Sequence, residues 1–222
     1  MRIRNRRRLA LAVPLLGGVL AAIVAVANPE PAGSAMEHHH HDAMGHDEHA
    51  MHQAMMANSH YERLQATYDV PPLVLTNTHG EQVRLDEVLG DDTPVVLNFI
   101  FTTCTTICPI LSATFQQARG QLGEAADAAR WVSITIDPEH DTPQVLERYA
   151  RQFKATANWE FLTGDPETIV AAQRAFGAYR GDKMSHEAVT FLRSAGGTRW
   201  VRLEGLTSGS ELAREYQHLQ HP

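Results

Sequence analysis

Cysteine is almost missing from this 222-residue chain: there are two, Cys104 and Cys108. Two cysteines four positions apart cannot build a disulfide framework, so they make one site, either redox or metal. Aromatic residues are sparse at 7%, and basic residues are outnumbered, 19 Lys and Arg against 26 Asp and Glu. Five of those 19 (Arg2, Arg4, Arg6, Arg7 and Arg8) fall in the first eight residues, and taking their five charges off the net −7 leaves −12 for the remainder. The body therefore has no basic patch to meet phosphate, which excludes a nucleic-acid partner. There is also no internal repeat.

What is present divides the chain into three parts. Residues 1–27 carry the arginine block and then an uncharged apolar run of 19 residues, Leu9 to Ala27, interrupted by Pro14, Gly17 and Gly18. About 20 apolar residues span a bilayer as a helix, and the arginines predict a cytoplasmic N-terminus with an exported body. Ala25-Val26-Ala27 also fits a small-residue cleavage site. This part is a signal anchor or a cleaved signal peptide. The expected location is a bacterial inner membrane with the body on the periplasmic side, or an exported soluble protein after cleavage.

Residues 28–60 form a linker that changes composition part-way. Pro29, Pro31, Gly33 and Ser34 make a spacer, and residues 36–60 then hold eight histidines and five methionines. The side chains concerned are His38, His39, His40, His41, Met44, His46, His49, Met51, His52, Met55 and Met56, with Met36 and His60 at the margins. Such a segment has too few aliphatic residues to fold alone. Imidazole suits several transition metals, while thioether sulfur selects copper, above all Cu(I). The mixture points to an auxiliary copper-collecting arm.

Residues 61–222 have the content of one globular domain. Val70–Leu75 and Gln82–Arg84 read as a hairpin around Asn77-Thr78-His79-Gly80, with Pro71 and Pro72 placing its first strand at an edge. Val95–Phe101 and Trp131–Ile136 read as strands buried on both faces. Helices are expected over Pro109–Leu122, from Thr142 with Pro143 in its first position, over Glu167–Phe176 and over Ser210–Leu219. Short strands are expected at Glu160–Leu162, Val189–Leu192 and Arg199–Leu203. The order is that of an α/β, thioredoxin-like fold: a central mixed sheet flanked by helices, with an N-terminal hairpin extension.

The cysteines fall in Thr103-Cys104-Thr105-Thr106-Ile107-Cys108-Pro109, between a central strand and a helix. Pro109 and the β-branched run disfavour helix at Cys108 and place it at the helix start, where the positive helix end should favour its thiolate. Three residues separate the cysteines, where thioredoxins have two, and no proline directly precedes Val189–Leu192. A third ligand is best sought at His186, just before the strand that faces the cysteine loop. His79, His140, His218 and His221 have weaker claims. Asp137, at the end of a central strand, is either a support for the site or a loop cap, and Asp141 is expected to cap the following helix.

Three ordered motifs carry a resemblance. Asn98-Phe99-Ile100-Phe101-Thr102-Thr103-Cys104-Thr105-Thr106-Ile107-Cys108-Pro109 resembles the cysteine motif of the Sco/SenC family. Asp137-Pro138-Glu139-His140-Asp141-Thr142-Pro143 is similar to its second signature, and Ser185-His186-Glu187 matches its ligand histidine. The resemblance covers about residues 65 to 220. It implies copper, as Cu(I) or Cu(II), held by Cys104, Cys108 and His186. It also implies a metallochaperone role in maturing the dinuclear copper centre of cytochrome c oxidase. The partner would be the copper-receiving oxidase subunit, with another copper chaperone or a thiol reductant upstream. Thr105 stands where many members have Pro, and Ser185 where many have Asp; neither removes a ligand. The alternative is a dedicated thiol–disulfide reductant using Cys104 and Cys108 to keep the oxidase copper-site cysteines reduced. A peroxidase reading lacks the activating motif that a peroxidatic cysteine needs.

Deleting residues 36–60 is expected to lower the copper bound per chain, measured by elemental analysis after dialysis. An unchanged copper count would rule the arm out.

Overall fold

The computed structural model describes residues 61–90 and 92–220. The arginine block and apolar run of residues 1–27, the linker of residues 28–60 and His221 lie outside the described residues. Among the described residues no helix is long and apolar enough to cross a membrane.

The elements follow in chain order as β1 (Glu62–Ala66), β2 (Val74–Asn77), β3 (Gln82–Arg84), α1 (Leu85–Val88), β4 (Val95–Ile100), α2 (Ile107–Leu122), α3 (Glu124–Asp127), β5 (Arg130–Thr135), α4 (Pro143–Gln152), β6 (Trp159–Thr163), α5 (Pro166–Ala175), β7 (Val189–Arg193), β8 (Trp200–Glu204) and α6 (Gly209–Gln220). A 3-10 turn, Lys183–Ser185, precedes β7. The eight strands form one sheet in the order β1-β8-β7-β4-β5-β6-β2-β3. β4, β5 and β6 are parallel, and the other pairings are antiparallel. This is the mixed, helix-flanked sheet that the residue pattern predicts.

Strand β4 shows why the sheet sits in the middle. All six of its residues are buried. Val95, Leu97 and Phe99 join one core with Leu75, Val132, Leu162, Phe176 and Phe191. Val96 and Ile100 join the other with Phe115, Trp131, Phe161, Leu203 and Tyr216. Alternate side chains of a strand leave by opposite faces, so one apolar run serves two cores. Buried Asn98 interrupts it, with Ser133 Oγ donating to Asn98 Oδ1 at 2.7 Å and Trp159 Nε1 donating to Ser133 Oγ at 3.0 Å.

Several helices start where their caps dictate. Thr142 accepts from the Val145 N–H ahead of Pro143, and Asp165 accepts from the Thr168 N–H ahead of Pro166. Proline suits the first turn because its missing N–H would have no partner there.

Three expectations change. The strand after Pro71 and Pro72 is not at an edge: β2 pairs with both β6 and β3, and β3 is the edge. The prolines lie ahead of β2 and so remove no ladder bond. Second, α2 begins at Ile107 rather than Pro109, so Cys108 lies inside its first turn. A proline in that turn leaves the helix intact, which overrides the local preference of the preceding residue. Third, β1 was not expected. Its five residues pair with β8, and the buried Glu215 on α6 accepts from Tyr61 Oη at 2.8 Å and Arg63 Nε at 2.7 Å.

Phe176 is fully buried among the rings of Tyr68, Phe99, Phe191 and Trp200. Phe176→Ala is expected to cost about 3–5 kcal/mol of stability in urea unfolding. A loss below about 1 kcal/mol would mean that this core is looser than its ring contacts indicate.

Candidate metal centre

The site lies at the C-terminal end of β4, where the strand runs into the cysteine loop. Two contacts fix that exit. The Thr102 N–H donates to Asp141 Oδ2 at 3.0 Å, and Thr102 Oγ1 donates to Asp141 Oδ1. Thr135 Oγ1, at the end of β5, also donates to Asp141 Oδ2. Asp141 is fully buried. It does not cap α4 as expected; Thr142 does, and the Asp141 side chain turns inward to tie the ends of β4 and β5 together.

The loop then folds the two sulfurs onto the backbone. The Cys104 N–H donates to the Phe101 carbonyl at 3.2 Å. The Cys108 N–H points to Cys104 Sγ at 3.5 Å, and the Phe101 N–H points to Cys108 Sγ at 3.5 Å. Both cysteines are free thiols; Cys104 is half-buried and Cys108 is buried.

Their acidities divide in the opposite sense to the helix-dipole expectation. Burial raises the Cys104 thiol, but hydrogen bonds from the Cys108 and Thr106 backbone and the Thr106 hydroxyl outweigh it and hold the thiol below its ordinary range. Burial pushes the Cys108 thiol far up, and the neighbouring Cys104 sulfur adds to the rise. Cys108 has the helix end, yet desolvation wins, because removing a thiolate from water costs more than a partial charge returns.

His186 closes the other side. Its backbone N–H donates to the Lys183 carbonyl at 3.2 Å, which ends the 3-10 turn. Its Nε2 lies 2.9 Å from the Phe99 carbonyl oxygen on β4. A carbonyl only accepts, so Nε2 carries the hydrogen and Nδ1 keeps a free lone pair. Nδ1 is buried without a hydrogen-bond partner. Burial lowers the pKa of His186 below its ordinary value and keeps the ring neutral. The ring meets Phe101 edge-on at 6.5 Å and lines an open cavity of about 650 Å³ shared with Tyr61, Ile107, Glu187 and Glu204.

Asp137 is an ion-pair partner here. Lys183 Nζ donates to Asp137 Oδ2 at 2.6 Å and stands 5.9 Å from the Phe101 ring centroid. That contact links the His186 turn to the loop after β5. Its place at the end of a central strand is what drew attention to Asp137, but nothing in the sequence pattern pointed to Lys183.

The fold thus gathers Cys104, Cys108 and His186 around one strand end. Among the described residues, however, no three His, Cys, Asp or Glu side chains stand close enough together to enclose a metal ion. The other histidines are elsewhere. His140 is exposed in the turn after Asp137, His79 lies in the β2–β3 turn beyond β6, and His218 is exposed on α6.

The family model described as SCO1/SenC matches residues 62–220, which includes every element named above. The chain belongs to the SCO1/SenC family. A SCO1 protein homolog of Bacillus subtilis (strain 168) is 35% identical over 98 residues, 44% of this chain and 50% of that protein. The chain spans half or less of the curated relatives it first matches. Among solved structures, BsSco is 26% identical with a TM-score of 0.59, over 70% of this chain and 95% of the other. That protein is described as a member of the Sco family of cytochrome c oxidase assembly proteins with a disulfide switch. Arabidopsis thaliana ScoI, solved with copper bound, is 26% identical with a TM-score of 0.56, over 68% of this chain and 95% of the other.

In this SCO1/SenC domain the thiols are unequal. Cys104 is half-buried with its thiol pKa lowered by hydrogen bonds, and Cys108 is enclosed with its thiol pKa raised by burial. Alkylation at neutral pH is expected to modify Cys104 well before Cys108, because only the thiolate reacts and Cys108 is buried. The Cys104 rate should rise at a lower pH than that of a free cysteine, since its thiol is the more acidic. Equal labelling of the two, followed by peptide mass spectrometry, would contradict this assignment.

Proposed function

We propose that the chain binds copper through Cys104, Cys108 and His186 and delivers it to the copper-receiving subunit of cytochrome c oxidase. Support comes from family membership, from a relative solved with copper, and from a relative described as an oxidase assembly protein. One observation carries the ligand set: the neutral His186 ring, with Nε2 tied to Phe99 on the strand that leads into the cysteine loop, and with Nδ1 buried and unpartnered. Metal-ligating histidines commonly donate their other N–H to a backbone carbonyl in this way.

Copper is cargo in this reading. Thiolates suit Cu(I), and imidazole suits both oxidation states. The ion meets Cys104 first, because that sulfur is the more exposed of the two and its thiol pKa is lowered. Binding then displaces the proton of Cys108, since a coordinated thiol is deprotonated. The three ligands must draw together around the ion, and the loop residues between Cys104 and Cys108 supply the freedom to do so. Release reverses the order, with Cys104 as the sulfur a partner can reach. The apolar run Leu9–Ala27, kept as an anchor, would hold the domain at the outer face of the inner membrane. The His/Met arm would collect copper nearby.

The thiol asymmetry favours a second reading, a thiol–disulfide reductant. The Cys104 thiolate would attack a partner disulfide and release one partner thiolate. Cys108, losing its proton, would then attack the Cys104 sulfur and release the other. Two electrons pass from the pair to the partner, and a Cys104–Cys108 disulfide remains.

Anaerobic titration of a chain lacking residues 36–60 separates the two. One tightly held copper is expected, with His186→Ala weakening it at least about tenfold. If His186→Ala binds as wild type does, the three-ligand reading fails, and the pair is better assigned to disulfide exchange.

A further inference from the structure

Met184 is the one methionine of residues 61–222, and its placement is unusual for an apolar side chain. It is 77% exposed, and among the described residues only Val74 is another large apolar side chain open to solvent. Thioether side chains ordinarily fill gaps in cores.

The turn that presents it is held from several sides. The Met184 N–H donates to Asp182 Oδ1 at 2.7 Å, and the Ser185 N–H donates to the Asp182 carbonyl at 3.0 Å. Lys183 reaches inward to Asp137 and lies over Phe101. A 3-10 turn advances a third of a revolution per residue. With Lys183, itself exposed, turned toward Asp137, its neighbour Met184 is carried away from that side. His186 follows two residues later, so the two Cα atoms are no more than about 7.6 Å apart across two trans peptides. The Met side chain has three rotatable bonds, and its sulfur is a soft ligand that selects Cu(I).

We propose that Met184 is a thioether waypoint for Cu(I): a transient ligand beside His186 that takes the ion while it passes between the buried site and a partner. The assignment rests on the copper reading above. Transfer runs by ligand exchange. A Cu–Sδ bond forms before the bond to His186 or to a thiolate breaks, no electron moves, and the vacated thiolate remains or takes a proton from water. A thioether is neutral and binds more weakly than thiolate, so it speeds passage without holding the ion.

The test uses the full chain loaded with one equivalent of Cu(I), with transfer to a colorimetric Cu(I) chelator followed by stopped flow. The arm methionines are common to every variant. Met184→Leu keeps the size and removes the sulfur. It is expected to slow transfer about tenfold while leaving the equilibrium affinity within about twofold of wild type, and Met184→Ala should match it. Transfer by Met184→Leu at wild-type speed overturns the proposal, including the case in which only Met184→Ala is slow, because an apolar contact would then suffice. A large loss of equilibrium affinity in Met184→Leu also overturns it, since Met184 would then be a resident ligand. His186→Ala, measured alongside, reports on the underlying reading: wild-type affinity there sinks the three-ligand site whatever Met184 does.

Discussion

The site depends on one enclosed carboxylate. Asp141 has no exposed surface, yet its oxygens accept from the Thr102 N–H, the Thr102 hydroxyl and the Thr135 hydroxyl. A carboxyl group is costly to bury without partners, and a buried donor left without its acceptor costs about 1–3 kcal/mol. Donor and acceptor therefore hold each other in place. The result is a fixed departure point for the cysteine loop, at the junction of two parallel strands. Everything beyond it, including the sulfur contacts and the approach of His186 to Phe99, is measured from that junction.

From this frame the two cysteines acquire different chemistry without any charged neighbour being needed to distinguish them. The three residues between them leave one sulfur half-buried, under donors from Thr106 and Cys108, and set the other in the buried first turn of α2. Burial raises both thiols; hydrogen bonds overcome it at Cys104 and do not at Cys108, where the helix end is the smaller influence. His186 follows the same rule: enclosure keeps it neutral, and one backbone carbonyl selects its tautomer.

Much of this was legible in the sequence. The apolar runs at Val95 and Trp131 could only be central strands, and Pro143 and Pro166 mark helix starts because proline fits there and nowhere deeper. The spacing of Cys104, Cys108 and His186 against those elements pointed to one location. What escaped has a physical reason. Strand β1 reads Glu-Arg-Leu-Gln-Ala, with only Leu64 and Ala66 apolar, because it is an edge strand held by ladder bonds and by Glu215 rather than by burial. The inward turn of Asp141 was hidden because Asp-Thr-Pro is also a good capping sequence, and either of its first two residues could serve. Lys183 was invisible because an ion pair between loops 46 residues apart leaves no local pattern.

The β1 arrangement also has a mechanical meaning. The chain enters the domain through a five-residue ladder to β8, and Tyr61 and Arg63 at its start are both fastened to Glu215. Strands β8 and β7 stand between that ladder and β4. Tension applied at the N-terminal end therefore loads an outer seam of the sheet first. The seam takes that load across five paired residues, and because Tyr61 at its start also lines the cavity of His186, the chain's point of entry adjoins the site.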